Sequence, residues 1–268
     1  MLASNRPLVM GILNVTPDSF SDGGSYLKPE AALRHARKML AEGADIIDIG
    51  GESTRPGAEP VTEQIELDRV VPVVQLLRSE TDTFVSVDTS TAAVMREVSP
   101  VCDLINDVRA LGRPGALAAA ADSGLPICLM HMRGEPKTMQ DDPAYNHLID
   151  DIIDFFNSRI AICDAANIDR QRLLIDPGFG FGKTPSDNLV LLNRLADFLC
   201  LELPILVGLS RKSTISKIVG RGTALTIGSV VGAALAINNG ASIVRVHDVA
   251  ETVAALKIAF ATKREQLL

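Results

Sequence analysis

Eight short apolar runs, rich in Val, Ile and Leu, recur along the chain, separated by longer segments whose apolar residues fall three and four apart. This alternation leaves few folds open. Short, predominantly apolar runs are strands buried on both faces, and the amphipathic segments between them are helices that cover those faces. The runs fall at 8–13, 46–49, 84–87, 104–105, 127–130, 173–175, 205–207 and 243–246. Eight units in 268 residues leave about 33 residues for each, which suits a closed barrel of about 250 residues. The sequence predicts one α/β domain over residues 1–268, a (β/α)8 TIM barrel. A seven-unit or open doubly wound sheet is the alternative, because the run at 104–105 is only two residues long.

Helical patterns span 29–42, 62–79, 144–166 and 186–201, with Gly43 and Gly124 as stops. Asp248 with Glu251 three residues later predicts a capping box at the last helix. No linker or low-complexity stretch interrupts the series.

With 47% hydrophobic residues, 4% aromatic and no Trp, the core must be mostly aliphatic. A net charge of -7 excludes binding of nucleic acid or an anionic membrane through a broad basic field, so any anion must be caught locally. Cys102, Cys128, Cys163 and Cys200 are scattered and form no C-x-x-C pair, which argues against a disulfide framework or zinc site. Residues 1–7 hold no signal-like apolar region, and no apolar run approaches a membrane span. A reduced, cytoplasmic protein is expected.

Every strand ends in polar residues: Asn14, the 52–55 segment, Asp88, Asn106 with Asp107, His131, Asp176, the 210–212 segment, and Arg245 with His247. A barrel gathers these ends at one mouth, where its active site sits. Arg245 and His247 are two apart and share a strand face, so they can converge on a phosphate, with Arg55 and Lys212 adding positive charge. Asp176 offers carboxylate oxygens suited to a guanidine-like edge such as a pterin or guanine carries. Asp176 before Pro177 is equally suited to a turn, and Asp88 and Asn106 have the same structural alternative. Three motifs fail. The 178–184 segment has Pro177 where a Walker loop needs its first Gly. The 208–212 segment has Lys212 where a nucleophile elbow closes on Gly, and no evident His base accompanies Ser210. His35, His131, His147 and His247 lack metalloprotease spacing, and His35 reads as an exposed helix residue.

The segments 11–24 (GILNVTPDSFSDGG) and 48–57 (DIGGESTRPG) resemble the two signatures of the dihydropteroate synthase family. The similarity continues at 86–89 (SVDT), 105–107 (IND), 130–132 (MHM), 176–183 (DPGFGFGK), 210–213 (SRKS) and 245–248 (RVHD). It implies condensation of (7,8-dihydropterin-6-yl)methyl diphosphate with 4-aminobenzoate to 7,8-dihydropteroate and pyrophosphate, by an SN1-like route without a protein nucleophile. By matching positions it implies that Asp88, Asn106, Asp176 and Lys212 hold the pterin ring. Asn14, Thr54, Arg245, Val246 and His247 would bind the diphosphate, with Asn14 placing Mg²⁺. Arg55, Pro56, Phe181, Lys212 and Ser213 would shape the aminobenzoate pocket, and Asp22, Arg55 and Lys212 would be the catalytic set. Asp22 and Arg55 lie in Gly-bearing loops that would close over the site. The resemblance also implies a homodimer through outer helices and inhibition by sulfonamides.

One stretch departs from the family pattern: 218–227 lacks the Arg-Leu pair expected before Gly228 and Ser229. That concerns an outer helix rather than the chemistry. A folate-dependent, corrinoid-linked methyltransferase and an inactive pterin-binding paralogue are the rival readings. The STRPG and SRKS segments oppose the first, and intact Asp22, Arg55 and Lys212 oppose the second.

Overall fold

The structure is a computed structural model that describes residues 6–16, 29–55, 57–139 and 143–265. Its strands are β1 (Leu8–Asn14), β2 (Ile46–Gly50), β3 (Phe84–Asp88), β4 (Leu104–Asp107), β5 (Ile127–Met130), β6 (Leu173–Asp176), β7 (Leu206–Val207) and β8 (Ile243–Val246). The helices are α1 (Pro29–Ala41), α2 (Glu63–Glu80), α3 (Ala92–Val98), α4 (Ala116–Ser123), α5 (Leu148–Ala165), α6 (Pro185–Asn193), α7 (Ser213–Val219), α8 (Thr223–Asn238) and α9 (Val249–Arg264). All strand pairs are parallel, and β1 pairs with both β2 and β8. The ladder runs in sequence order from β1 to β6, and β7 pairs with β8. A single bridge, Ile175 to Ile205, joins β6 to β7 and closes the (β/α)8 barrel.

The short strand is the seventh, not the fourth. The run at 104–105 extends through Asn106 and Asp107 into a four-residue strand, because polar residues at a strand's mouth end keep their backbone pairing. At β7, Pro204 has no N–H and serves only as an acceptor, from the Ile175 amide at 3.0 Å. The pattern at 186–201 divides into α6 and a 3₁₀ segment, Leu195–Leu201.

The strand pleat sends alternate residues to opposite faces. Outward residues such as Leu13, Ile47, Ile49, Val85, Val87 and Ile105 join the core beneath the helices. Inward ones, Leu8, Met10, Ile46, Leu104, Cys128, Leu174, Leu206 and Ile243, form a separate apolar plug inside the barrel. Truncating one of its Leu residues to Ala would cost about 2–5 kcal/mol. One inward step further along the same strands the plug gives way to Asp48, Ser86, Asn106, Asp176 and Arg245. The barrel is sealed below and polar above.

At α9 the expected capping box is absent. Asp248 makes no side-chain cap bond, because its carboxylate is taken by Arg211 in two hydrogen bonds of 3.0 and 2.5 Å. The capping box stands instead at α6, between Thr184 and Asp187, with Pro185 at the first position. The atypical 218–227 stretch is a helix break: α7 ends before Gly220, and α8 departs at 118° after Gly222.

Candidate active site

The centre of the barrel mouth is Arg245, which reaches across from β8. Its Nε donates to Asp48 Oδ2 at 2.6 Å, and its Nη2 to Asp88 Oδ2 at 2.8 Å. Asp48 is fully buried and also accepts from Ser86 Oγ at 2.5 Å and Asn106 Nδ2 at 3.3 Å. Three strands are thereby tied to one carboxylate. Burial alone would lower the Arg245 pKa, but Asp48 and Asp88 hold it above the ordinary guanidinium range. Burial pushes the Asp88 carboxyl up to about 7, against the pull of Arg245. Asp176 is also raised by burial, opposed first by Lys212. Buried groups of this kind must find partners, so they discriminate strongly between rings that match them and rings that do not.

Opposite lies the loop after β6. Asp176 Oδ1 accepts the Gly178 amide at 2.8 Å, so Asp176 is a turn residue and a buried mouth carboxylate at once. Lys212, at the start of α7, donates to the Phe179 carbonyl, and its ammonium sits 4.2 Å from the Phe181 ring centroid. Burial depresses the Lys212 pKa to about 7, against the pull of Asp176.

Sequence reading found no His base near Ser210, and the structure corrects this. His247 Nδ1 lies 3.1 Å from Ser210 Oγ, which also accepts the His247 amide at 3.2 Å. The two residues are 37 apart in sequence, and only the closure of β7 against β8 unites them. Burial, then Arg245, lowers the His247 pKa to about 4, which makes it a weak base at neutral pH. The neighbouring Asp248 carboxylate is occupied by Arg211. The pair orients the imidazole; it is not a hydrolase dyad.

The remaining predicted residues spread around this bowl. Asn14 is half-buried at the end of β1, in register with Gly50. Thr54 is half-buried and Arg55 exposed in the loop after β2. That loop is anchored by Glu52, which pairs with Arg109 and Arg113 at 3.0 Å each, and by the Gly57 amide on the Pro136 carbonyl. Ser213 opens α7 exposed beside Lys212. Val246 is the exception. Its side chain faces the outer core because strand alternation turns it away from Arg245 and His247, which leaves only its backbone to meet a ligand. Asp22 and Pro56 lie outside the described residues.

The sequence gives Asp48, Ser86 and Lys183 no role in the site, and it offers His131 only as a strand-end residue. For Asp48 the sequence carries a signal: a carboxylate in an otherwise apolar strand, two before Gly50 and on its face. For Lys183 there was none, since its partner His131 is 52 residues away.

Residues 10–247 match the family described as pterin binding enzyme. The dihydropteroate synthase of Escherichia coli (strain K12) is 51% identical over 260 residues, covering 96% of this chain and 92% of that protein. The chain belongs to the dihydropteroate synthase family. Haemophilus influenzae supplies another such relative, 50% identical over 258 residues, with 96% of this chain and 94% of that protein covered. Among solved structures, the Yersinia pestis dihydropteroate synthase in complex with a sulfonamide drug superposes with a TM-score of 0.93 at 55% identity, covering 97% of this chain and 95% of that one. The Xanthomonas albilineans dihydropteroate synthase with 4-aminobenzoic acid gives 0.91 at 48% identity, covering 97% and 94%. This family membership displaces the methyltransferase reading.

Proposed function

We propose that this chain joins the pterinylmethyl group of (7,8-dihydropterin-6-yl)methyl diphosphate to the amine of 4-aminobenzoate. The carbon–oxygen bond to the diphosphate breaks, a carbon–nitrogen bond forms, the amine loses a proton, and 7,8-dihydropteroate and pyrophosphate leave. The observation that carries this reading is the polar tier above the apolar plug. Asp88, Asn106 and Asp176 are buried there in a ring with Lys212 at its edge, a donor and acceptor set suited to an aminopyrimidine edge.

The pterin zone of the sequence reading acquires Arg245, which is engaged by Asp48 and Asp88 on the ring side of the bowl. Its free edge, His247 and Thr54 then serve the diphosphate. Phe181, Lys212 and Ser213 form the aminobenzoate side, with Arg55 on a loop that closes over it and Asp22 and Pro56 completing the set. A sulfonamide would compete for the same side.

The described residues contain no cluster of three or more His, Cys, Asp or Glu suited to a metal. Asn14 offers one hard amide oxygen, which fits Mg²⁺ held chiefly by water and substrate phosphate oxygens rather than a protein cage. Mg²⁺ there would neutralise charge on the departing pyrophosphate. The protein's own share is to orient both substrates and exclude water.

A homodimer through the outer helices is part of the proposal. Ile227, Val231 and Leu235 are half-exposed four residues apart on α8, with Ile218 of α7 and Ile258 of α9 also exposed. A cytoplasmic location fits four free thiols, and no single helix among the described residues is long and apolar enough to cross a membrane. Incubation with both substrates and Mg²⁺ tests the reading: pyrophosphate should appear in step with dihydropteroate and only when both substrates are present. Folded protein that releases none refutes it.

A further inference from the structure

Lys183 is 2% exposed and belongs to neither the pterin nor the aminobenzoate set. A buried ammonium must satisfy three donors, and this one does. It meets His131 Nδ1 at 2.9 Å, the Gly178 carbonyl at 3.0 Å and the Phe181 carbonyl at 3.1 Å. Two of those acceptors belong to the 178–183 loop itself, and the third belongs to the end of β5. His131 is held in turn by its edge-on contact with Phe155 at 4.9 Å and by its amide on the Asp176 carbonyl. Burial and the adjacent Lys183 push the His131 pKa down to about 2, so its ring stays neutral and Nδ1 is free to accept.

The loop so clipped is the one that receives Lys212. Phe179 supplies its carbonyl acceptor, Phe181 its ring, and Gly180 the bare backbone against its stem, where an added Cβ would stand 3.0 Å from Lys212 Cδ. The loop also passes close to β5: a Cβ on Gly178, whose φ is +73°, would fall 1.8 Å from the His131 carbonyl. The loop has one path, and Lys183 closes it.

We infer that Lys183 is a positioning residue for the Lys212 and Phe181 wall, acting through the 178–183 loop that it pins to His131. The inference rests on the proposed synthase reaction and names a determinant of its aminobenzoate side. In the glycine-rich segment that mimics a Walker loop, the lysine's donors go to two of the loop's own carbonyls and to His131.

The test is a double-mutant cycle between Lys183→Met and Lys212→Met, read as kcat/KM for 4-aminobenzoate and, independently of turnover, as pterin affinity by pterin fluorescence. Lys183→Met alone should lower kcat/KM by about 10- to 100-fold, the scale of a misplaced positioning group. In the Lys212→Met background it should change either readout less than about twofold, because the two act as one unit. His131→Phe keeps the ring packing and removes the acceptor, so it should give the same non-additive pattern if Lys183→Met fails to fold. Additive losses, or an unchanged kcat/KM in folded Lys183→Met or His131→Phe, overturn the inference. Absence of synthase activity in the unmutated protein would instead overturn the reaction assignment.

Discussion

Asp48→Asn removes one charge from the centre of the barrel mouth and leaves its volume almost unchanged. Asp48 is 0% exposed and accepts from Arg245 at 2.6 Å, Ser86 at 2.5 Å and Asn106 at 3.3 Å. An asparagine can keep these contacts by turning its oxygen toward Arg245 and Asn106 and its amino group toward the Ser86 hydroxyl. The loss is therefore mainly electrostatic. Two unit charges about 4 Å apart interact by about 4 kcal/mol at an effective dielectric of 20, and breaking a buried pair from one side costs about 3–5 kcal/mol. Asp88 still holds the other edge of Arg245 at 2.8 Å, so about half of that cost, ~2 kcal/mol, is expected. For a chain of 268 residues this lowers the thermal midpoint by about 4–8 °C. Removing the neighbouring negative charge should also lower the raised Asp88 pKa, since Asp48 contributes to holding it up. Calorimetry gives the midpoint, and pterin fluorescence gives affinity across pH. A midpoint within 1 °C of the parent, with an unchanged pH profile of pterin binding, would show that Asp48 is not the tie between the three strands.

Asp176→Asn should abolish pterin binding, because it sets a donor against the ring's own donors; unchanged affinity in a titration would leave Asp176 as the turn residue that its bond to Gly178 describes. Arg55→Ala should reduce kcat more than pterin affinity if the exposed side chain acts on loop closure, and equal losses would place it in the resting pocket. Val231→Glu, in the middle of the α8 stripe, should convert a dimer to monomer in light scattering while the midpoint moves little; an unchanged mass would move the interface elsewhere. Lys183 has its pKa lowered by burial from 10.5 to about 7, so between those values the folded state binds fewer protons than the unfolded. Its contribution to stability therefore rises with pH over that window. Lys183→Met should show a shallower rise in denaturant titrations from pH 7 to 10, the remainder coming from the similarly depressed Lys212, and an identical slope in both proteins would contradict the buried, depressed Lys183 amine.

The sequence by itself pointed to the barrel and to most of the polar residues at its mouth. Backbone periodicity is a local property: a largely apolar run such as 46–49 marks a strand covered on both faces, and the residue after it falls at the strand's end. That local rule made Asn14, Asp88, Asn106, Asp176, Arg245 and His247 legible as one constellation. Tertiary structure alone decided what each touches. Arg245 meets Asp48 and Asp88 across 197 and 157 residues, Ser210 meets His247 across 37, and Lys183 meets His131 across 52. The Asp248 box was locally sound yet lost its carboxylate to Arg211, because a charged partner 37 residues away competes better than a helix amide. Chain spacing says which residues reach the mouth; only barrel closure sets which charges neutralise one another there, since Coulomb energy depends on distance in space and on burial.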